Sequence, residues 1–377
     1  MIAALLLALA QGATPPVPGS GGRAAPAQGA EPSSAQVKDA ERTALLARWR
    51  ESLELDFPGE VLDEGRARMA PGGDLEHDSR ALALFARALA ARGEREAAKQ
   101  LLAGRPKALP VEFVTAERAR LLLEEDELEA ALDLLLDRGA TNLRSPATAE
   151  AHWVAGRALA RLGDYDRAAP LFERFLALEP HAAEAPSAWH QLAQAALRKG
   201  DTARAQQCAA REDALGRWHA FYRVRRLQIR EQPKEPLPRL GLAQLWLEID
   251  NLGAAREVLD ELLALAPEFA PAWLARGETL RKLEDLDGAR ASYDRALELD
   301  AALPIARMNR AVIARVQNRE ADARRDLELL VADPKLEPRI SAGAHLELAR
   351  ILARAGETAR AQALHARYRE LGGKEAL

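Results

Sequence analysis

The stretch that decides the fold is residues 149–180, AEAHWVAGRALARLGDYDRAAPLFERFLALEP. Two segments with apolar residues at helical spacing flank a short polar turn that contains Gly163 and Asp164. Gly156 and Ala168 fall where two antiparallel helices would cross, and a larger side chain there would cost ~1–3 kcal/mol by overpacking. Pro180 has no amide proton and ends the second helix. The stretch therefore predicts a helical hairpin.

The hairpin recurs at a fixed spacing along the chain. Ala255, Ala289 and Ala323 are each 34 residues apart, and each follows a short polar turn inside a helix-like segment. A period of this length is typical of arrays of paired helices, in which each unit contacts only its neighbours and the stack forms a curved surface. Ala, Leu, Arg and Glu dominate the composition, which favours helix. The sequence predicts an all-α fold.

These hairpins resemble the tetratricopeptide repeat (TPR) family, whose 34-residue pattern runs Trp, Leu-Gly, Tyr, Ala, Phe, Ala, Pro. Matching residues in the clearest units are Trp153, Gly156, Ala168, Phe172 and Pro180; Trp189, Leu192 and Ala205; and Trp273, Gly277, Ala289 and Tyr293. The resemblance covers roughly residues 77–372. It implies an α-solenoid of stacked antiparallel helix pairs in a right-handed superhelix, with a concave groove that binds proteins or peptides.

The regions outside the repeats suggest further divisions. The marker alanine jumps from Ala205 to Ala255, which predicts a break in the superhelix near residues 216–236, where Trp218, Phe221 and Tyr222 are expected to fill an irregular junction. The predicted segments are a signal peptide (1–11), a disordered Pro/Gly/Ala-rich linker (12–35), N-terminal capping helices (36–76), a first array (77–235) and a second array (236–377).

The signal peptide predicts export, to the periplasm of a bacterium. Its apolar core is short and is followed by an Ala-Leu-Ala stretch suited to cleavage, although a basic segment at the start is missing. A spurious signal would instead place the chain in the cytoplasm. The apolar run is far below the roughly 20 residues that span a bilayer, so no transmembrane segment is predicted.

Composition and motifs argue against catalysis and metal binding. The formal net charge is −4, which does not favour nucleic-acid binding. The single cysteine, Cys208, excludes an internal disulfide, and His152 with His190 would give at most two metal ligands. The sequence has no zinc-protease, serine-hydrolase, phosphate-loop or calcium-loop motif. We predict a non-enzymatic protein without metal or cofactor, in which turn residues such as Asp164 and Asp285 support the next helix.

The family's groove positions are rich in arginine in this chain. They lie one and four or five places after the small residue of each first helix, and the candidate binding residues are Arg87, Arg120, Arg157, Arg161, Arg198, Arg350 and Arg354, with Arg281, Lys282 and Arg315 at related positions. Glu124, Glu248 and Glu278 are the acidic exceptions. Asn309 matches the asparagine of the carboxylate clamp found in some relatives, but the clamp's lysines are absent.

A positive groove of this kind could hold an acidic peptide, since guanidinium pairs with carboxylate through two hydrogen bonds. A structural reading competes with it, because arginines in a last helical turn are favoured by the helix dipole by ~0.3–1 kcal/mol each. That reading suits Arg161, Arg198 and Arg354 better than the mid-helix arginines.

The sequence thus predicts an exported scaffold that binds proteins or peptides, within an envelope-associated assembly. Two alternatives stay open. One is a polysaccharide-secretion or outer-membrane assembly factor that binds an anionic polymer, and the other is a cytoplasmic regulatory adaptor. Neither the partner nor the oligomeric state follows from the residues.

Overall fold

The computed structural model describes residues 34–70, 72–104, 112–136, 143 and 148–377. The predicted signal peptide and most of the predicted linker lie outside the described residues. Within them the chain forms eighteen helices, and the only extended pairing is an isolated antiparallel bridge between Leu136 and Leu143. The all-α prediction is confirmed. In the described part of the chain, no helix is both long and apolar enough to cross a membrane.

The described residues divide into two compact units, which lie within residues 1–219 (unit 1) and residues 220–377 (unit 2). The helices of unit 1 are α1 (Ser34–Glu54), α2 (Pro58–Met69), α3 (Ser79–Ala91), α4 (Arg95–Ala103), α5 (Glu112–Glu124), α6 (Leu128–Leu135), α7 (Ala149–Arg161), α8 (Tyr165–Leu178) and α9 (Ala185–Arg198). Helix α10 (Thr202–Glu231) begins in unit 1 and ends in unit 2.

Unit 2 continues with four hairpins. Its helices are α11 (Pro236–Glu248), α12 (Leu252–Leu265), α13 (Ala270–Lys282), α14 (Leu286–Leu299), α15 (Pro304–Val316), α16 (Glu320–Val331), α17 (Pro338–Arg354) and α18 (Thr358–Glu370). Each helix packs mainly on the helices directly before and after it in sequence. Turns of a few residues join the helices of each hairpin, which makes the neighbours antiparallel.

The crossing of α7 and α8 shows why the pattern needs small residues. Gly156 faces the ring of Phe172, and a Cβ built on Gly156 would lie 2.9 Å from Phe172 Cε1. Trp153 packs edge-on against Phe172, with ring centroids 5.7 Å apart. Gly277 faces the ring of Tyr293 in the same way in unit 2, where a Cβ built on Gly277 would lie 2.5 Å from Tyr293 Cε1. The prediction of a close crossing at Gly156 is confirmed, and the space that glycine leaves is filled by an aromatic ring.

The hairpin turns share one backbone device. The second residue after the first helix adopts a left-handed conformation, either as glycine, at Gly163 (φ 82°) and Gly200 (φ 76°), or as a polar residue, at Asp250 (φ 58°) and Glu284 (φ 64°). In some hairpins a side chain of the turn also caps the next helix. Asp164, for example, accepts a hydrogen bond from the Arg167 N–H at 3.2 Å.

The N-terminal cap consists of α1 and α2. Trp49 of α1 is buried against Phe85 of α3, with ring centroids 6.4 Å apart, and its Nε1 donates a hydrogen bond to Glu64 Oε2 at 3.0 Å. The sequence predicts capping helices from residue 36, and in the structure α1 begins at Ser34. The last two residues assigned to the linker are therefore helical.

Most of the predicted break at residues 216–236 lies inside a continuous helix. Helix α10 runs without interruption through Gly216, because one helical glycine costs only about 1 kcal/mol relative to alanine, and the prolines come after the helix has ended. Trp218 is buried beside His181, with ring centroids 6.2 Å apart, and Tyr222 packs against Trp246 at 5.6 Å. Phe221, in contrast, is 57% exposed. The expectation that the junction aromatics serve packing therefore fits two of the three.

Candidate functional site

Unit 1 contains a cavity of about 600 Å³, which we call the unit 1 cavity. Its walls come from α1, α3, α5 and α7, together with the end of α8 and the segment that leads into α9. The lining residues are Thr43, Leu46, Ala47, Arg50, Leu53, Glu54, Arg80, Ala83, Leu84, Arg87, Phe113, Ala116, Glu117, Thr148, Ala149, Glu150, Phe175, Glu179, Ala183 and Glu184. The first helices of successive hairpins thus form the cavity.

One part of the lining is apolar. Leu46, Leu84, Phe113 and Phe175 present carbon atoms to the cavity. The Arg80 guanidinium lies over the Phe113 ring, 5.0 Å from its centroid. An apolar wall with few, fixed polar groups is typical of sites that bind organic ligands.

Glu117 anchors the polar side of the cavity. Its side chain is only 1% exposed, and Arg87 NH2 donates to its Oε2 at 2.9 Å. Arg120 Nε donates to Glu117 Oε1 at 3.0 Å. Burial alone would raise the pKa of Glu117, but the two arginines outweigh burial and hold that pKa below its ordinary value. Arg87 also pairs with Glu150 Oε1 at 3.0 Å, so one arginine joins α3, α5 and α7.

A second ion pair crosses the cavity. Arg50 of α1 donates through NH1 and NH2 to the two oxygens of Glu179, at 3.2 and 3.0 Å, although the residues are 129 positions apart in sequence. Arg50 Nε also donates to Glu54 at 3.2 Å. The side chain of Arg50 remains 47% exposed, so solvent reaches this pair. Helix α1 of the cap therefore forms part of the cavity wall.

Acidic groups outnumber basic ones in the lining. Five glutamates and three arginines line the cavity, for a net charge of −2. Burial raises the pKa of Glu150 above its ordinary value, and the like charges of Glu184 and Glu117 raise it further. The pKa of Glu54 is raised by burial and by Glu184. Among the described residues, no ion pair involves Glu184.

The excess of arginine that the sequence predicted is therefore not found in this cavity. Of the candidate binding residues, only Arg87 lines it. Arg120 is held by Glu117 and Glu124, and Arg161 donates to the Leu123 carbonyl at 2.8 Å and to Asp126 at 2.6 Å.

Arg157 and Arg198 are exposed and stack on aromatic rings. The Arg157 guanidinium lies 5.4 Å from the centre of the Trp153 ring, and that of Arg198 lies 4.3 Å from the centre of the Tyr165 ring. The role of these two arginines in binding stays a prediction.

In unit 2 the remaining candidates also have intramolecular partners. Asn309 Nδ2 donates to the hydroxyl of the buried Tyr293 at 3.2 Å, and burial raises the pKa of Tyr293 to about 12. Arg350 pairs with Glu347 at 3.1 Å and with Glu375 at 2.6 Å. Arg354 lies 3.6 Å from a Glu320 oxygen. Asn309 thus supports the packing of Tyr293 in this structure.

The residues that the sequence analysis missed are the carboxylates. Glu150 is the second residue of α7 and Glu184 directly precedes α9, so both lie near the start of a first helix. The mapping used only later positions of those helices. A mapping that included the start of each first helix could have identified these two glutamates, whereas the pairing of Arg50 with Glu179 could not be read from any spacing.

The histidines and the cysteine do not form a metal site in the described part of the chain, where no group of three or more His, Cys, Asp or Glu side chains is suitably placed. The His152 ring bonds to the Thr148 carbonyl at 2.8 Å, and the His190 ring lies 3.2 Å from Glu212. Each of the two has its own partner. Cys208 is buried, and burial raises the pKa of its thiol.

Comparison with known families locates the repeats. Models described as "Tetratricopeptide repeat" match residues 149–182 in unit 1, and residues 240–304 and 274–338 in unit 2. The human "Tetratricopeptide repeat protein 36" is 35% identical over 85 residues, which are 22% of this chain and 45% of the human protein. The chain therefore matches less than half the length of that relative.

Solved structures with similar folds include a thermophilic TPR protein of Thermus thermophilus, which is 22% identical with a TM-score of 0.30 over 55% of this chain and all of that one. A MamA double mutant is 17% identical, with a TM-score of 0.36 over 50% of this chain and 94% of that one. The Cut9-Hcn1 structure is 14% identical, with a TM-score of 0.28 over 87% of this chain and 86% of that one. On the family matches, this chain carries tetratricopeptide repeats in both units.

Proposed function

We propose that this chain is a non-enzymatic scaffold whose unit 1 cavity binds a segment of another protein. The observation that carries the proposal is the cavity itself, which combines an apolar wall with charged groups that ion pairs already hold in place. Its volume of about 600 Å³ falls within the range that holds a few side chains or a small ligand. A site ordered before binding lowers the entropic cost on the receptor side.

A blocked cavity tests the proposal. Ala183 lines the cavity and is exposed, so Ala183→Trp fills space without entering the core. Ala209 of α10 is exposed in the same unit but does not line the cavity, which makes Ala209→Trp the matched control. We expect affinity purification from native cells, read by mass spectrometry, to yield partners with the wild type and Ala209→Trp that are lost with Ala183→Trp. Identical partner sets for all three proteins would contradict the proposal.

The proposed cellular setting is an envelope-associated assembly outside the cytoplasm. Its support is the sequence of residues 1–11, which lie outside the described residues. Fractionation of a C-terminally tagged chain, with N-terminal sequencing, is expected to find the mature protein in the periplasm, cleaved shortly after Ala10. A cytoplasmic protein with an intact N-terminus would favour the regulatory adaptor instead.

A second candidate function is binding of an acidic partner or an anionic polymer outside the cavity. The observation that favours it is the pair of exposed, ring-stacked guanidinium groups of Arg157 and Arg198, which retain donors for carboxylates. Recovery of polysaccharide in the same purification, lost on Arg157→Glu, would support this candidate over protein binding.

A further inference from the structure

The charges in the unit 1 cavity are not balanced internally. Arg87 is shared between Glu117 and Glu150, and Arg50 between Glu179 and Glu54. Arg120 also pairs with Glu117, although it does not line the cavity. With Arg80 included, the lining has three arginines against five glutamates. Glu184, the fifth, forms no ion pair among the described residues. The lining therefore carries negative charge that at least one further positive group could balance.

Glu150 and Glu184 both line the cavity, and of the two only Glu150 has an arginine partner, Arg87. Glu150 and Glu184 interact closely enough that the charge of Glu184 raises the pKa of Glu150. Glu150 is the second residue of α7, and Glu184 directly precedes α9. A cation placed between them would offset this repulsion. Its attraction to both carboxylates is stronger where the cavity wall excludes solvent.

The cavity already shows how it holds a guanidinium. Arg50 reaches in from α1 and forms two parallel hydrogen bonds with Glu179. This is the geometry by which an arginine from a ligand would engage a carboxylate. The lining also has an apolar part that includes Leu46, Leu84 and Phe113, with the Arg80 guanidinium over the Phe113 ring.

We propose that the unit 1 cavity takes a peptide segment in which an arginine or lysine lies beside an apolar side chain, with the cation on Glu150 and Glu184 and the apolar group on the wall of Leu84 and Phe113. This inference rests on the proposed function and specifies its partner by charge. It assigns a basic ligand to the cavity, whereas the predicted acidic partner would bind at the candidate arginines outside it. Charge complementarity sets the choice of partner in such a site more than contact area does.

The test uses the full chain and three labelled nonapeptides built from glycine, leucine and one charged or polar residue type. The first carries arginine, the second carries glutamate and the third carries glutamine at the same positions. Fluorescence anisotropy is expected to show the arginine peptide binding at least tenfold more tightly than the other two, and more weakly as salt is raised.

Two variants locate the binding. Glu184→Gln and Glu150→Gln keep the side-chain shape and remove one charge, and each is expected to weaken binding of the arginine peptide about tenfold. Glu173→Gln is the control, because it makes the same charge change in unit 1 at a residue that does not line the cavity. Glu150 has Arg87 as an intramolecular partner, whereas Glu184 has no ion pair among the described residues, so the Glu184 variant tests the charge without disturbing the fold.

The outcomes separate this inference from the proposed function. Preferential binding of the glutamate peptide, or equal binding of all three, overturns the assignment of a basic ligand, and loss of that binding in Ala183→Trp would still support the cavity as a protein-binding site. If the arginine peptide does not bind, or binds equally to wild type, Glu184→Gln and Glu150→Gln, the inference is wrong. The native purification then tests the scaffold function independently.

Discussion

Phe172→Ala is expected to lower the free energy of unfolding of the α7–α8 hairpin by ~3–5 kcal/mol. Phe172 is among the largest fully buried side chains, and it fills the space that Gly156 leaves at the crossing. Truncation removes the ring's burial and leaves a cavity that two packed helices cannot close. Hydrogen exchange of the α7 and α8 amides measures the loss locally, which suits a protein whose repeats need not unfold together.

A second substitution shows whether the ring and the glycine act as one pair. Gly156→Ala alone should destabilise the hairpin, because the new Cβ would lie 2.9 Å from the ring, against a helix-propensity gain of only about 1 kcal/mol. In the Phe172→Ala background the same change should become neutral or stabilising. Phe221→Ala, at a phenylalanine that is largely exposed, is the control and should change stability by less than about 0.5 kcal/mol. Additive effects of the two substitutions would contradict this account.

Arg310→Met is expected to cost unit 2 about 3 kcal/mol. Arg310 donates through Nε and NH2 to the two oxygens of Asp326, at 2.7 and 2.6 Å, and through NH1 to Asp294 at 2.8 Å. The side chain of Asp326 is only 5% exposed, so removal of the arginine leaves a buried carboxylate with one distant partner, Arg307 at 3.7 Å. Breaking a buried pair on one side is costly because the remaining charge stays desolvated. Urea unfolding of the full chain, with exchange rates in α15 and α16, measures the cost.

The matched control is Arg325→Met, next in sequence to Asp326. Arg325 is 75% exposed and its pairing distance to Asp322 is 3.7 Å, so its removal should cost less than about 0.5 kcal/mol. The double variant Arg310→Met/Asp326→Leu should regain most of the stability, since an apolar pair replaces the ion pair. If Arg310→Met behaves like Arg325→Met, the buried pair does not stabilise unit 2.

The fold could be predicted because its determinants are local. A glycine or alanine at the crossing, a polar turn and a 34-residue spacing all lie within one hairpin, so Gly156, Ala168 and the turn at Gly163 were enough to locate α7 and α8 along the chain. The course of α10 was harder to predict. A glycine and a cluster of aromatic residues suggested an irregular junction, but neither prevents a helix from continuing to Glu231.

The site could be predicted only in part because charge is a property of neighbouring helices taken together. Arg87 was identified from its own helix, but Glu117 and Glu150, which neutralise it, lie 30 and 63 residues further along the chain. The positions selected in the sequence include only one residue of the cavity lining, Arg87, so they could not give the net charge of the cavity. The contact between Arg50 and Glu179 depends on how the cap meets the later repeats, which no periodic pattern encodes.

The helices of unit 2 pack mainly on their neighbours in sequence, and this affects how the unit tolerates harmful substitutions. Because each hairpin depends on the two beside it, a harmful substitution is confined to a short stretch, and the rest of the unit can stay folded and keep its surfaces. Lineages can also lengthen or shorten such a unit by whole hairpins without redesigning what remains.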